Sequence, residues 1–211
     1  GEGIILYHNE KDDYWRTLGQ DRGVPPGQIF DIYGNETHVW VCSSRGLGRI
    51  EKSTLSEDPI GIENIFENIS IFDIDSIDNR LWLGTSAGIY IYSNVQSQLM
   101  QMSDIGRKNF SEQLRNVISI EEYDNMIYLV SDIGVIKFDI EEKVWDLMIA
   151  SGVYRNENVF SMSLNDKFIF LGIENGLIKI NKRTGLVRDY VFPFIGQVND
   201  IILDGKEIWL G

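Results

Sequence analysis

Apolar and polar residues form short alternating runs along this chain, and one arrangement of these runs recurs about every 42 residues. Each copy has an apolar strand, a polar turn, an apolar run around a large aromatic residue, a loop, and then glycine followed by an apolar residue. The aromatic position falls on Trp40, Trp82, Tyr128, Phe170 and Trp209, at spacings of 42, 46, 42 and 39 residues. A fixed period of this size is typical of a repeat architecture.

Two further landmarks keep the same register. The first strand of each copy begins at Ile29, Ile71, Val117, Val159 and Val198, and the Gly-apolar pair begins at Gly46, Gly88, Gly134 and Gly176. A helical array would need apolar residues at helical spacing over about ten positions, and Gly, Asn or Asp interrupts every such stretch. Short β-branched and aromatic runs between Gly, Asn and Asp turns instead predict strands.

The pattern therefore predicts an all-β protein, a β-propeller built of four-stranded antiparallel blades with about 42 residues per repeat. In one copy the strands fall at 71–75 (A), 80–84 (B), 88–92 (C) and 98–102 (D). Both faces of a blade pack on neighbouring blades, so the strands need not alternate apolar and polar residues. The large ring on strand B is expected to be buried between blades.

The whole chain, residues 1–211, is predicted to be a single array of five repeats. Full blades are expected at 29–66, 71–103, 117–149 and 159–190, strands C and D of a split blade at 1–20, and strands A and B of a split blade at 198–211. Two interpretations stay open. The ends could complete one blade in a closed five-bladed ring, or the chain could be an arc of a larger propeller, which the matching position of both ends slightly favours.

Charge and cysteine content narrow the range of partners. Asp and Glu total 32 against 19 Lys and Arg, a net charge of −13, which opposes binding to nucleic acid or an anionic membrane. Cys42 is the only cysteine, which excludes a disulfide within the chain and a Cys cluster for zinc. It occupies the position of Gly84 and Gly172 in other copies, and a small buried packing residue is expected there. No run of about 18 apolar residues occurs, so no direct membrane insertion of this segment is predicted.

The third residue of each A strand is polar, and these side chains are expected to recur at one level around the channel: Asp31, Asp73, Ser119, Ser161 and Asp200. Such a ring could bind a cation or a polar ligand. The favoured alternative is structural, with each side chain bonding the backbone of a neighbouring blade.

Ligand binding is expected instead in the loops that join strand D to A and strand B to C, because loops vary freely on a rigid scaffold. These connections should emerge on one side of the blades. Arginines and aromatic rings there suit a carboxylated or hydroxyl-rich ligand through forked hydrogen bonds and stacking. The candidate ligand-binding residues are Arg22, Arg45, Arg115, Asp132, Tyr154, Arg155, Glu174 and Phe194.

Two stretches carry a family resemblance: Asp204-Gly205-Lys206-Glu207-Ile208-Trp209-Leu210-Gly211, and Asn79-Arg80-Leu81-Trp82-Leu83-Gly84-Thr85-Ser86-Ala87-Gly88-Ile89. They resemble the repeat of the two-component regulator propeller family, which runs as Asp, a turn Gly, an apolar residue, Trp, an apolar residue, Gly-Thr and then Gly-Leu. The copies around Tyr128 and Phe170 depart from it, having lost the Trp and the Thr. The resemblance implies a periplasmic or extracellular sensor region of a bacterial hybrid two-component system.

The predicted function is accordingly ligand sensing or interaction without catalysis. The expected partners are a small molecule or oligosaccharide, or other propeller or sensor domains of the same protein. No nucleophile elbow, His-Glu-x-x-His pair or phosphate-binding loop occurs, so no catalytic residue, cofactor or metal is predicted. The alternatives are a propeller-fold lyase or glycoside hydrolase, and a structural interaction module of a cell-surface assembly.

Overall fold

The computed structural model of the chain describes residues 3–8, 14–20, 24–54, 66, 68–93, 98–101, 106–108, 114–154 and 158–211. The described residues are almost entirely strands joined by tight turns, which confirms the all-β class. The strands are β1 (Ile4–His8), β2 (Tyr14–Leu18), β3 (Ile29–Gly34), β4 (His38–Ser43), β5 (Gly46–Glu51), β6 (Ile71–Ile77), β7 (Arg80–Thr85), β8 (Gly88–Ser93), β9 (Gln98–Gln101), β10 (Arg107–Lys108), β11 (Ser119–Tyr123), β12 (Met126–Ser131), β13 (Gly134–Asp139), β14 (Val144–Ala150), β15 (Val159–Leu164), β16 (Phe168–Ile173), β17 (Gly176–Asn181), β18 (Val187–Val191), β19 (Ile201–Asp204) and β20 (Glu207–Leu210). Short 3-10 helices lie at Lys52–Thr54 and Ser151–Tyr154.

The strands form blade-like antiparallel meanders in the predicted order. Blade I is β3-β4-β5, blade II is β6-β7-β8-β9, blade III contains β11-β12-β13-β14, and blade IV is β15-β16-β17-β18. Blade I is expected to span 29–66, and its residues 55–65 lie outside the described residues. β1 and β2 form a two-stranded sheet, as do β19 and β20. That these two pairs are halves of split blades stays a prediction.

The chain divides into two compact units, Gly1–Ile74 and Asp75–Gly211, and the boundary falls within β6. In the first unit, one face of the β1-β2 hairpin packs on blade I through a cluster that contains Leu18, Val41 and Ile50. In the second unit, successive blades share apolar clusters, and the β19-β20 hairpin packs on blade IV around Phe170 and Val198. The predictions of a single array, and of a ring or an arc, stay predictions.

The sheet of blade III differs from the expected four strands. β10 lies in the connection between blades II and III and pairs in parallel with β14 at the outer edge of that sheet. The Arg107 N–H donates to the Lys143 carbonyl at 2.8 Å, which anchors the pairing. Only two residues pair, so the element is too short for periodicity to reveal it.

The repeated aromatic residue lies on the second strand of each blade, as predicted: Trp40 on β4, Trp82 on β7, Tyr128 on β12, Phe170 on β16 and Trp209 on β20. The first four are buried. Trp82 packs against Phe138 and Trp145 of blade III, with ring centroids 5.9 and 6.2 Å apart. The ring thus fills the space between its own blade and the next one.

The expected burial is wrong for Trp209, which is 59% exposed. Tyr128 and Phe170 are buried in clusters that contain strands of the repeat that follows each of them. Among the described residues, no strand of a further repeat lies beyond β20 in the chain. Burial at this position therefore comes from the neighbouring repeat rather than from the hairpin that carries the ring.

The glycine at the end of strand B is explained by the backbone of the following repeat, which approaches it closely. A Cβ at Gly84 would lie 2.5 Å from the Val117 carbonyl oxygen, and one at Gly172 would lie 2.6 Å from that of Val198. Both carbonyls belong to the entry into the next A strand. Cys42 occupies the equivalent position in blade I and is fully buried, as expected.

A buried hydroxyl fixes the B-C turn in three blades. Thr85 Oγ1 donates to the Gly88 carbonyl at 2.8 Å and accepts from the Ala87 N–H at 3.0 Å. Ser43 and Ser131 make the same pair of bonds in blades I and III. Blade IV has Ile173 at this position and lacks the hydroxyl. The Gly-Thr step of the repeat thus has a structural role in these turns.

Replacing Trp82 with Ala is expected to lower the free energy of unfolding by about 3–5 kcal/mol, because it leaves a cavity between blades. Trp209→Ala is the matched control, with an expected loss of about 1 kcal/mol or less for a largely exposed ring. Urea denaturation of both variants checks this difference. Equal losses would show that the position does not depend on the following repeat.

Replacing Thr85 with Val is expected to lower the free energy of unfolding by about 1–2 kcal/mol, because the buried Gly88 carbonyl and the partly buried Ala87 N–H lose their partner while the side-chain shape is kept. The Ala87 amide should also lose protection from hydrogen exchange. Thr85→Ser keeps the hydroxyl and should retain that protection. Loss of protection in the Ser variant would contradict the assigned role.

Candidate functional site

The polar third residues of the A strands, called the polar row below, largely make hydrogen bonds to the backbone. Ser161 is buried and its hydroxyl donates to the Val198 carbonyl at 2.9 Å, at the entry into β19. Asp31 Oδ2 accepts from the Ile74 N–H of β6 at 3.1 Å, and its Oδ1 accepts from the Ile32 N–H. Both residues follow a β-bulge, between Ile29 and Asp31 and between Val159 and Ser161. These two bonds are of the structural kind favoured by the sequence.

Two aspartates of the row bond within their own strand. Asp73 Oδ1 accepts from the Ile74 N–H at 2.9 Å, and Asp200 Oδ1 accepts from the Ile201 N–H at 2.8 Å. Ser119 is half-buried on β11. Among the residues that the structure describes, no three His, Cys, Asp or Glu side chains are grouped to hold a metal ion.

The D-A and B-C connections lie side by side, as the strand order predicts. In blade III the Arg115 N–H donates to Asp132 Oδ1 at 3.1 Å, and the Asp132 N–H donates back to the Arg115 carbonyl. In the first unit the Asn68 N–H donates to the Arg45 carbonyl. The side chains of Arg45, Arg115 and Asp132 are exposed beside these paired backbones.

Tyr154 is placed differently from the other candidates. It ends the 3-10 helix after β14 and is only 3% exposed, within the apolar cluster shared by blades III and IV. Burial, with a smaller contribution from Asp132, raises the pKa of its phenol to about 12. Its ring is a packing element here, which leaves Phe194 as the exposed aromatic residue of the candidate set.

Phe194 lies at the tip of the connection between β18 and β19 and is 98% exposed. The tip is held by Asn175, whose N–H donates to the Gly196 carbonyl and whose carbonyl accepts from the Phe192 N–H. Asn175 Oδ1 also accepts from the Gly196 N–H at 3.2 Å. Glu174, the neighbour of Asn175 in the B-C turn, forms a β-bridge with Gln197. The structure thus brings Glu174 and the Phe194 turn together.

The other two candidates, Arg22 and Arg155, lie outside the described residues. Contacts therefore join the candidates in pairs, Arg115 with Asp132 and the Glu174 turn with the Phe194 turn. Convergence of all eight around one opening stays a prediction.

Sequence reasoning missed a second polar group, two residues further along the A strands. Glu121 of β11 lies beside Ser163 of β15, whose hydroxyl donates to Glu121 Oε1 at 3.4 Å. Nearby, Lys182 Nζ lies 4.3 Å from the centre of the Tyr123 ring and 4.4 Å from that of Tyr128. The alternation of the strand places Glu121 on the same side as Ser119, which could have signalled this cluster.

Comparisons with solved structures identify the architecture. The extracellular domain described as that of the hybrid two component system BT3049 from B. thetaiotaomicron matches 99% of this chain at a TM-score of 0.69 and 15% identity. That of BT4673 from the same organism matches 100% of it at 0.67 and 15% identity. The chain has the fold of these extracellular domains.

A third solved structure, PorZ of Porphyromonas gingivalis, described as a surface component of the type-IX secretion system, matches 99% of the chain at a TM-score of 0.57 and 11% identity. The chain spans about 30% of the length of each of these structures. No family model and no curated protein matches the sequence. Among the described residues, no helix has the length and apolar character to cross a membrane.

Replacing Ser161 with Ala is expected to lower the free energy of unfolding by about 1–2 kcal/mol, because the Val198 carbonyl loses a buried donor. Ser119→Ala, at the equivalent but more exposed position of blade III, is the matched control and should cost less. Thermal or urea unfolding of the two variants measures this. A ligand role for the row predicts the opposite outcome, a loss of binding with little change in stability.

Proposed function

We propose that this chain is a non-enzymatic sensing or interaction module in the periplasmic or extracellular part of a bacterial two-component system. Its blade architecture and its fold likeness to the BT3049 and BT4673 extracellular domains support this role. The chain is shorter than those domains, so the proposal concerns the recognition step and not the signalling that follows it.

The observation that carries the proposal is the rigid presentation of Phe194. Three hydrogen bonds with Asn175, one donated and two accepted, fix the turn, and yet the ring at its tip is almost wholly in water. Leaving a large apolar side chain in water forfeits the free energy of its burial, so a grouped set of such residues indicates a contact surface. Phe192 and Ile195 in the same turn are also exposed.

The polar groups beside the turn indicate the chemistry of the ligand. Glu174 provides a carboxylate, and Gln197 provides an amide that already bonds Asn199 Oδ1 at 2.7 Å. Arg115 adds an exposed guanidinium in the equivalent connection of blade III. Ring stacking together with forked hydrogen bonds suits a hydroxyl-rich or carboxylated ligand such as an oligosaccharide. The surface of another propeller or sensor domain of the same protein is the alternative occupant.

Titration of acidic and neutral oligosaccharides against the protein tests the proposal. With a sugar that binds, Phe194→Ala is expected to weaken affinity at least tenfold through loss of stacking. Arg115→Ala should weaken the binding of an acidic sugar by about 1.5–3 kcal/mol, which is roughly ten- to a hundredfold in affinity. The binding of a neutral sugar should be weakened less. Arg155→Ala extends the test to the adjoining connection.

Trp209→Ala is the control for this series, because it removes an exposed aromatic ring from a strand outside the loops. Its affinity should equal that of the wild type. A sugar that binds with unchanged affinity to the Phe194, Arg115 and Arg155 variants would place the site elsewhere on the protein.

A further inference from the structure

Glu121 occupies the contact between the inner strands of blades III and IV. One carboxylate oxygen, Oε1, accepts the long hydrogen bond from Ser163 described above. The other, Oε2, is buried and has no hydrogen-bond partner among the described residues. An ionised carboxylate with an unpartnered buried oxygen is costly, whereas a neutral carboxyl group at the same place costs much less.

The surroundings of Glu121 shift the pKa of its carboxyl group in opposite directions. Burial is the largest influence and, with a smaller contribution from Asp75 of β6, raises the pKa of Glu121 to about 7. The Ser163 hydroxyl, the Leu164 N–H and the Lys182 ammonium favour the ionised form and lower it. The pKa therefore lies above the ordinary value of 4.5 because burial outweighs the donors.

The strands packed on β11 add few other titratable groups. β12 places Tyr128 directly opposite Glu121, and burial raises the pKa of that phenol, so it stays neutral. β15 carries no titratable residue, and β7 carries Arg80 at its exposed start. Lys182 itself is held at the Asn165 carbonyl, 2.9 Å away. Glu121 is therefore the group at this contact whose charge changes near neutral pH.

We propose that the contact between β11 and β15 is a proton-dependent clasp, in which Glu121 holds blades III and IV together when protonated and weakens that hold when it ionises. In the protonated form, carboxyl and hydroxyl can each donate to the other, and no charge is buried. As the pH rises the proton passes to solvent, and the carboxylate, with its buried Oε2, is then repelled by the charge of Asp75.

The direction of the pH dependence follows from the raised pKa. The folded state holds this proton more tightly than the unfolded chain does, so the stabilising effect is complete below pH 4.5 and is lost as the pH rises through about 7. The difference between a pKa of 4.5 in the unfolded chain and about 7 in the folded state changes the folding equilibrium constant by up to about 300-fold. Inner-strand contacts between these two blades should loosen over the same range.

The test compares urea unfolding of the wild-type protein with that of Glu121→Gln from pH 4 to 8. The ratio of the wild-type to the variant folding constant should fall steeply between about pH 4.5 and 7.5, because glutamine cannot ionise. Glu122→Gln removes the same charge from the exposed neighbouring position and is the control for the loss of a carboxylate from this strand. A ratio for the Glu121 variant that does not change with pH would overturn the proposal.

Neighbouring variants separate titration from mere packing. Asp75→Asn should move the midpoint to lower pH, whereas Ser163→Ala and Lys182→Gln should move it to higher pH. A packing role alone would change stability equally at every pH and leave the midpoint in place, which would contradict the clasp. If Glu121→Gln does not fold, carbon-13 NMR titration of the wild-type carboxyl groups gives the midpoint directly, and a value near 4.5 would contradict it.

Discussion

In the second unit, the aromatic residue on the second strand of a repeat is buried against the repeat that follows, as Trp82, Tyr128 and Phe170 show. Trp82 lies between its own blade and the rings of Phe138 and Trp145, whereas Trp209 has the same place in its hairpin and stays in water. The glycine two residues after Trp82 lets the entry into the next A strand approach closely enough to make this contact. Stability thus resides in the junctions between repeats, as expected for arrays in which each unit contacts only its neighbours.

The strand order and the register of the aromatic residues could be predicted from the sequence because both follow from local patterns with a fixed period. The turns are equally local: Asp78 and Asn79 adopt positive φ between β6 and β7, as a two-residue hairpin turn requires. Burial of Trp209 was predicted wrongly. The period of the sequence fixes the strand on which the ring lies, whereas the burial of the ring depends on contact with another repeat.

The candidate site was less predictable. Loop residues such as Arg115 and Glu174 could be assigned to connections on one side, since strand order alone fixes that. The inward packing of Tyr154 depends on how its short 3-10 helix folds against blades III and IV, which no pattern encodes. Glu121 was missed because a carboxylate on a strand is ordinarily exposed, and its burial arises only where β11 and β15 meet.

The short parallel strand β10 links two repeats in a way that the aromatic contacts do not. Its backbone is part of the connection that leaves blade II, and it lies along the outer edge of the sheet of blade III. An open edge strand is a template for pairing with other chains, and this segment covers part of that edge. Fraying of β14 would also displace the connection, so we expect the opening of these two repeats to be coupled.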